Sequence, residues 1–358
     1  MSLAVTVLKN SAVLLLFLLF ISCGTKNKEY VNNVFPYSQF PQEKELKGEV
    51  IELDTALFRY PFRIRIEGDK AIVLDLHGSD YYGHLFQYPS FRYLSSFGRR
   101  GDSPLEMLSM ENFRLHNHTL WTLDANKSEL TRLDFSSSGD SLLREETVAL
   151  DEDILRPLDF AIYNDTTFVI PDYSGESRFL KVDCKGKLIE KIGTIPTTNK
   201  KALQEARPAL AQAWRSFLDY NSHNSVLATV TQLGEVVEIY NLKDSTHVIR
   251  VGEYDEPEFK VSDGYGIPTG IMGFSDVQVT DDAIYAVFHG TSFKDIARQS
   301  GRLSDGGKYI YVFSLKGEPL CKYVLDHYIY GIWVDEVTKT IMATDVNNDQ
   351  PILKFSFG

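Results

Sequence analysis

Ala71-Ile72-Val73-Leu74-Asp75, Leu120-Trp121-Thr122-Leu123-Asp124 and Thr167-Phe168-Val169-Ile170-Pro171-Asp172 are three copies of one phrase, a run of apolar and β-prone residues closed by an aspartate. Weaker copies stand at Val226–Thr231, Ile284–His289 and Ile341–Asp345. Each copy follows a tight turn and a short strand, and each precedes a further strand of alternating residues. The copies recur about every 50 to 60 residues, which suits one propeller blade and exceeds most solenoid repeats. Six copies predict an all-β fold, a six-bladed β-propeller, with strands a to d in each blade from the axis outward.

Read this way, blade one spans Arg63–Phe97, and blades two to five follow in order. Blade six has only Gly331–Val334, Ile341–Asp345 and Leu353–Phe357 before the chain ends. An outer edge left unpaired is a liability. Gly48-Glu49-Val50-Ile51-Glu52-Leu53 alternates, precedes blade one and has no other partner. It is therefore expected to complete blade six and close the ring. The aspartate after strand b reads as a turn-former bonding the backbone that follows it, not as a metal ligand.

The 358 residues carry a net charge of −12 and 41 Tyr and Phe in all (19 and 22), a composition that suits strands packed on both faces and offers no broad basic footprint for nucleic acid. Among the three cysteines, Cys23, Cys184 and Cys321, none forms a CxxC or a Cys/His cluster of zinc spacing. No metal and no cofactor are expected.

Residues Ser11 to Ile21 form an apolar run behind Lys9, too short for a membrane-crossing helix, which needs about 20 residues, but suited to the core of a secretion signal. It ends Phe20-Ile21-Ser22-Cys23-Gly24, which resembles the bacterial lipoprotein signal; Phe20 stands where Leu is usual. That resemblance implies a signal peptide at 1–22, lipidation of Cys23, and a membrane anchor of acyl chains. Residues 23–46 show no period and are expected to be a tether, with the propeller at 47–358. Surface-exported lipoproteins of the Bacteroidota resemble one another in an acidic run after the cysteine. Lys26 and Lys28 occupy that place here, so the expected location is the outer membrane, facing the periplasm.

The cassette, together with Phe97-Gly98-Arg99-Arg100-Gly101-Asp102-Ser103-Pro104-Leu105-Glu106 after strand d, resembles the TolB-like and NHL-like six-bladed propeller lipoproteins of Bacteroidota. Ser103 replaces a usual Gly and Met107 a usual Phe. The resemblance covers about residues 48 to 358. It implies a fold and a cell-envelope location, and no reaction.

In an antiparallel meander the d-to-a and b-to-c connections open on one face of the disc. The long connections Gly98–Glu111, Thr194–Arg215, Gly252–Phe274 and Gly290–Lys308 all belong to these two kinds. The other face has only short turns. Insertions confined to one face mark a binding face. Its candidate ligand-binding residues are Trp214, Tyr254, Phe259, Tyr265, Arg298 and Arg302; at the axis they are Arg65, Arg114, Gln278 and Trp333. Thr194–Arg215 has near-helical apolar spacing broken at Pro208, which predicts two short helical turns.

Two functions compete. The first is a non-enzymatic, monomeric envelope lipoprotein that binds a protein partner or a glycan through the long-loop face. The second is a metal-dependent hydrolase or lyase with its site at the axis, as in the gluconolactonase- and paraoxonase-like propellers. Calcium needs several converging oxygen ligands, and strand a offers Arg65, Arg114, Ala161 and Gln278 instead. No nucleophile with a His and acid partner is recognisable, so binding is the expected role. The terminal motif is directly testable. Metabolic labelling with a fatty acid is expected to mark the wild type and leave Cys23→Ala unmarked; equal labelling would refute lipidation at Cys23.

Overall fold

The computed structural model describes residues 26–28, 31–54, 58–298 and 304–358. Six sheets stand around one axis, and their innermost strands touch in chain order until the last meets the first. Blade one is Pro61–Glu67, Lys70–Asp75, Tyr81–Gln87 and Arg92–Arg99, and blade two is Met110–His116, Thr119–Asp124, Glu129–Phe135 and Leu142–Ala149. Blade three is Ala161–Asn164, Thr167–Pro171, Phe179–Asp183 and Leu188–Ile192, and blade four is Ser216–Asn221, Val226–Thr231, Val236–Asn241 and Thr246–Val251. Blade five is Phe274–Val279, Ala283–Phe288, Gly307–Ser314 and Pro319–Ile329.

Strand b reads as an unbroken apolar run because both of its faces are covered by neighbouring blades; Ala71, Ile72, Val73 and Leu74 are all fully buried. Asp75 and Asp124 tie the turn after strand b to the chain entering strand a, and Asp172 closes that turn on itself. Asp75 accepts the Tyr60 N–H at 2.7 Å, the Arg59 N–H at 2.8 Å and the His77 N–H at 3.1 Å. Asp124 does the same for Leu108 at 2.7 Å and Asn126 at 3.2 Å. Asp172 takes the N–H groups of Ser174 and Ser177, each at 2.8 Å. The repeated phrase thus spells a buried strand with its own backbone cap.

Blade six has Ile332–Asp335, Thr340–Thr344 and Ile352–Ser356 from the end of the chain, and its fourth strand is Glu49–Ile51. That strand runs antiparallel, with Glu49 opposite Lys354 and Ile51 opposite Ile352. The ring is closed as expected.

The upstream segment differs from expectation. Within 23–46, expected to be a tether, three stretches are strands on the outer rim. Lys26–Lys28 pairs in parallel with the outer strand of blade three, Val31–Pro36 with that of blade four, and Glu43–Leu46 with that of blade five. The propeller fold therefore begins upstream of residue 47. Between the last two stretches Tyr37 and Phe40 pack edge-on against each other at 5.7 Å, with Phe313 5.4 Å from Tyr37 and Tyr311 4.7 Å from Phe40. Burial of these rings, beyond the ladder bonds, fastens the strap to blade five. Cys23 and the signal segment 1–22 lie outside the described residues. Cys184 and Cys321 are free thiols.

Closure concentrates stability in a short segment. Beyond its ladder, Leu53 is 8% exposed and its N–H donates to Gln350 Oε1 at 2.8 Å. Deleting residues 48–53 is expected to cost about 3 kcal/mol or more and to lower Tm by roughly 5 °C or more. The loss should appear as one cooperative transition in calorimetry, since the ring reopens as a whole; an unchanged Tm would overturn the closure argument.

Candidate functional site

Aromatic rings cap the axis. On the long-loop side Phe62, Phe217 and Tyr330, from blades one, four and six, meet over it, with Phe62 4.8 Å from Tyr330 and 6.1 Å from Phe217. The Arg63 guanidinium lies 4.0 Å over the Phe62 ring and 4.6 Å over Phe217, adding a cation–π contact. Complete burial pulls its pKa down to about 10, against the opposing pull of Asp276.

Below this plug lie Arg65 and Arg114, expected to reach a pocket. They are 9% and 7% exposed and each is paired with a buried carboxylate. Arg65 forms two bonds to Asp276 at 3.1 Å each and donates to the Ile332 carbonyl at 2.7 Å. Arg114 meets Asp159 at 2.7 Å and the Leu218 carbonyl at 2.7 Å. The bonds of both hold blades together, a structural role in place of the expected reach into a pocket. Gln278 is likewise spent, accepting the Val334 N–H at 2.7 Å and donating to its carbonyl at 3.1 Å. Trp333 is half-buried, 5.9 Å from the ring of Tyr88.

The loops fall on faces as the strand order requires. Thr194–Arg215 forms helix α1, Lys200–Glu205, and helix α2, Arg207–Ala213, with Pro208 in the first turn of α2. Gly252–Phe274 carries a hairpin of Phe259–Ser262 and Tyr265–Pro268. Helix α3, Phe293–Arg298, lies in the fourth connection. These pieces bind one another. The Gly266 N–H donates to Gln212 Oε1 at 3.0 Å, and the approach is so close that a Cβ at Gly266 would sit 2.4 Å from the Ala209 carbonyl oxygen. Glu256 accepts from Thr197 Oγ1 at 2.6 Å and from the Thr198 N–H at 2.7 Å, joining the hairpin loop to α1.

Beneath α2 sits a buried ionic network between blades three and four. Arg178 donates to Glu238 at 2.8 Å, to Ser216 Oγ at 2.7 Å and to the Trp214 carbonyl at 3.2 Å. Burial opposes charge on Glu238, but Arg178 and His247 outweigh it and hold the carboxyl down to about 2. Trp214, expected at a pocket wall, is 1% exposed within this floor and supports the loops from below. Phe259 is half-buried, packed on the apolar cluster of Ile195, Leu210, Trp214 and Ile249.

Two residues expected on this face do face solvent among clefts. Tyr254 is 48% exposed and stands between clefts of about 320 and 310 Å³; the larger also holds Glu253, Asp255, Glu256, Glu258 and Lys294. Tyr265, 57% exposed, lines a cleft of about 260 Å³ with Leu155, Leu158, Tyr173, Pro208 and Arg215. Arg298, at the end of α3, is solvated, 3.6 Å from Asp295, and Arg302 lies outside the described residues. Openings of ligand size are not confined to this face: a depression of about 400 Å³ lies on the short-turn face, where Asn221, Gln278, Asp281 and Trp333 meet.

Sequence reasoning did not single out Arg156, Tyr173 and Arg215, which line the cleft at Tyr265. Arg156 lies in a connection too short to stand out, although, like the Gly98–Glu111 loop, that connection joins strand d to strand a. Tyr173 follows the aspartate of the repeated phrase, so its position was readable from the repeat.

The family profile described as TolB-like 6-blade propeller-like matches residues 39–337. No curated protein matches the chain in sequence. Among solved structures, a Bacteroides fragilis protein described as a candidate for export is 11% identical, covering 90% of this chain and 99% of its own, at a TM-score of 0.53. A DUF4221 family member from Bacteroides vulgatus is 11% identical over 88% of this chain and 96% of its own, at 0.54. An auxiliary nutrient binding protein from Bacteroides ovatus is 10% identical over 84% of this chain and 70% of its own, at 0.52. At these identities the likeness is one of fold.

Arg114 decides between a structural and a binding axis. Arg114→Ala leaves Asp159 buried against an unpaired neighbourhood and is expected to cost about 3 kcal/mol or more, read as a lower denaturant midpoint at unchanged m-value. A variant as stable as wild type would return Arg114 to the list of binding residues.

Proposed function

The chain belongs to the TolB-like six-bladed propeller family, and we propose that it serves as an envelope-anchored lipoprotein that binds a protein partner or a glycan through its long-loop face, without catalysis. The observation that carries this reading is the asymmetry of the disc. All four long connections belong to one face, and three of them fold there into α1 and α2, a hairpin, and α3. That face presents Tyr254, Val261, Tyr265 and Ile267, with Leu155 from the shorter connection between blades two and three, all between 48% and 57% exposed. Large apolar side chains held outward by a bonded framework suit a recognition surface.

The carboxylates nearest the axis favour this reading over the metal-dependent alternative. Asp159 and Asp276 are bound to arginines, and Asp219 accepts the Val279 N–H at 2.8 Å. The descriptions of two neighbours, one as a candidate for export and one as a nutrient binding protein, fit an envelope binding role without carrying it. Among the described residues no helix is long and apolar enough to cross a membrane, and the proposed attachment is the lipid at Cys23, with the propeller in the periplasm.

The test is position-specific photo-crosslinking in the producing cell. A crosslinking residue at Tyr254 or Ile267 is expected to trap a protein or glycan, and one at Val337, 92% exposed on the short-turn face, to trap none. Equal trapping from both faces, or trapping from Val337 alone, would sink the proposal.

A further inference from the structure

The cleft beside Tyr265 carries a chemistry that the rest of this face lacks. Its walls are apolar: Leu155 and Leu158 from the connection between blades two and three, Pro208 from α2, and the rings of Tyr173 and Tyr265. Two guanidinium groups, Arg156 and Arg215, line the same space. Among the described residues Arg156 makes no ion pair or side-chain hydrogen bond, and Arg215 has only Glu111, at 3.6 Å and partly solvated. Two like charges lining one apolar cleft, with a single partly solvated carboxylate to offset them, favour an anion there. The neighbouring cleft at Tyr254 has the opposite sign, with four carboxylates to one lysine, so this positive site stands out within a chain of net charge −12.

We propose that this cleft binds an acidic saccharide, with the apolar face of one sugar ring laid on Tyr265 and its carboxylate or sulfate held by Arg156 and Arg215. The inference rests on the face-binding reading above and narrows it to a ligand class. A guanidinium matches a carboxylate or sulfate through paired N–H donors. An exposed tyrosine offers a flat apolar surface together with a polar tip. Gln212 lines the same cleft; its Oε1 accepts the Gly266 N–H, so Nε2 is the donor it can offer a ligand. Ring hydroxyls meet that donor and the Tyr265 hydroxyl, and a purely aromatic acid would leave both to water. A volume of about 260 Å³ admits one sugar ring with its charged substituent, and lies just below the usual range of small-molecule clefts, from about 300 Å³.

Calorimetric titration of the whole protein tests this with four probes: an oligogalacturonide, galactose 6-sulfate, a neutral galacto-oligosaccharide and benzoate. At least one acidic saccharide is expected to bind ten-fold or more tightly than the neutral one, with affinity falling as salt rises. The carboxylate and sulfate probes tell which anion is read. Arg156→Ala and Tyr265→Ala are each expected to weaken that binding ten-fold or more at unchanged Tm, since both side chains are exposed. The inference is overturned if no acidic saccharide binds, if the neutral probe binds as well, if benzoate alone binds, or if both variants bind as wild type does. In each of those cases crosslinking confined to Tyr254 and Ile267 would leave the face-binding reading intact, while its absence would remove that reading too.

Discussion

Six inner strands face one axis, and each has an edge with no neighbouring strand to complete it. Buried N–H and C=O groups left there would be costly, and the chain answers with side chains from the next blade. Asp159 accepts the Leu218 N–H at 3.0 Å, Asp219 that of Val279 at 2.8 Å, and Asp276 that of Ile332 at 2.9 Å, linking blades three to four, four to five and five to six. These carboxylates are tolerable in the interior because Arg65 and Arg114 neutralise two of them while bonding the facing carbonyls. Neither set could be buried alone. The axis is thereby spent on cohesion, and recognition is displaced to the loops above it.

Much of this architecture was legible. The phrase that ends in Asp75, Asp124 and Asp172 marks a strand covered on both faces, and that local signal survives without any knowledge of neighbours. The missing strand of blade six could be inferred by counting, and Glu49–Ile51 supplies it. The outer strap could not be read. Val31-Asn32-Asn33-Val34-Phe35-Pro36 has no two-residue alternation, and Val34 and Phe35 are 57% and 45% exposed, because an outermost added strand has little to bury. Its parallel pairing is set by the edge it meets, and no local period encodes it.

The roles at the axis failed for a different reason. Position on strand a was correct for Arg65 and Arg114, but Arg65 finds its carboxylate on a strand 211 residues away. A signal was present all the same. Asn112-Phe113, Asp159-Phe160 and Asp276-Val277 repeat at the start of strand a, and in each the first side chain accepts the N–H of the second, at 2.8, 2.8 and 2.9 Å. The recognition surface was legible only as a face. Which residues there point outward depends on contacts between loops that share no period, as when α2 and the hairpin bury Trp214 and leave Tyr265 outside.

The ladder between Glu49–Ile51 and Ile352–Lys354 also sets the order of events in folding. Contacts that far apart in sequence form late and make the search slow. Until the final strand has been synthesised, blade six has nothing to offer the early segment, and that segment waits as an unpaired edge. Such edges invite pairing with other chains. The hazardous interval for this protein therefore runs from the appearance of blade one to the arrival of Ser356, and whatever shields nascent strands has that interval in which to act.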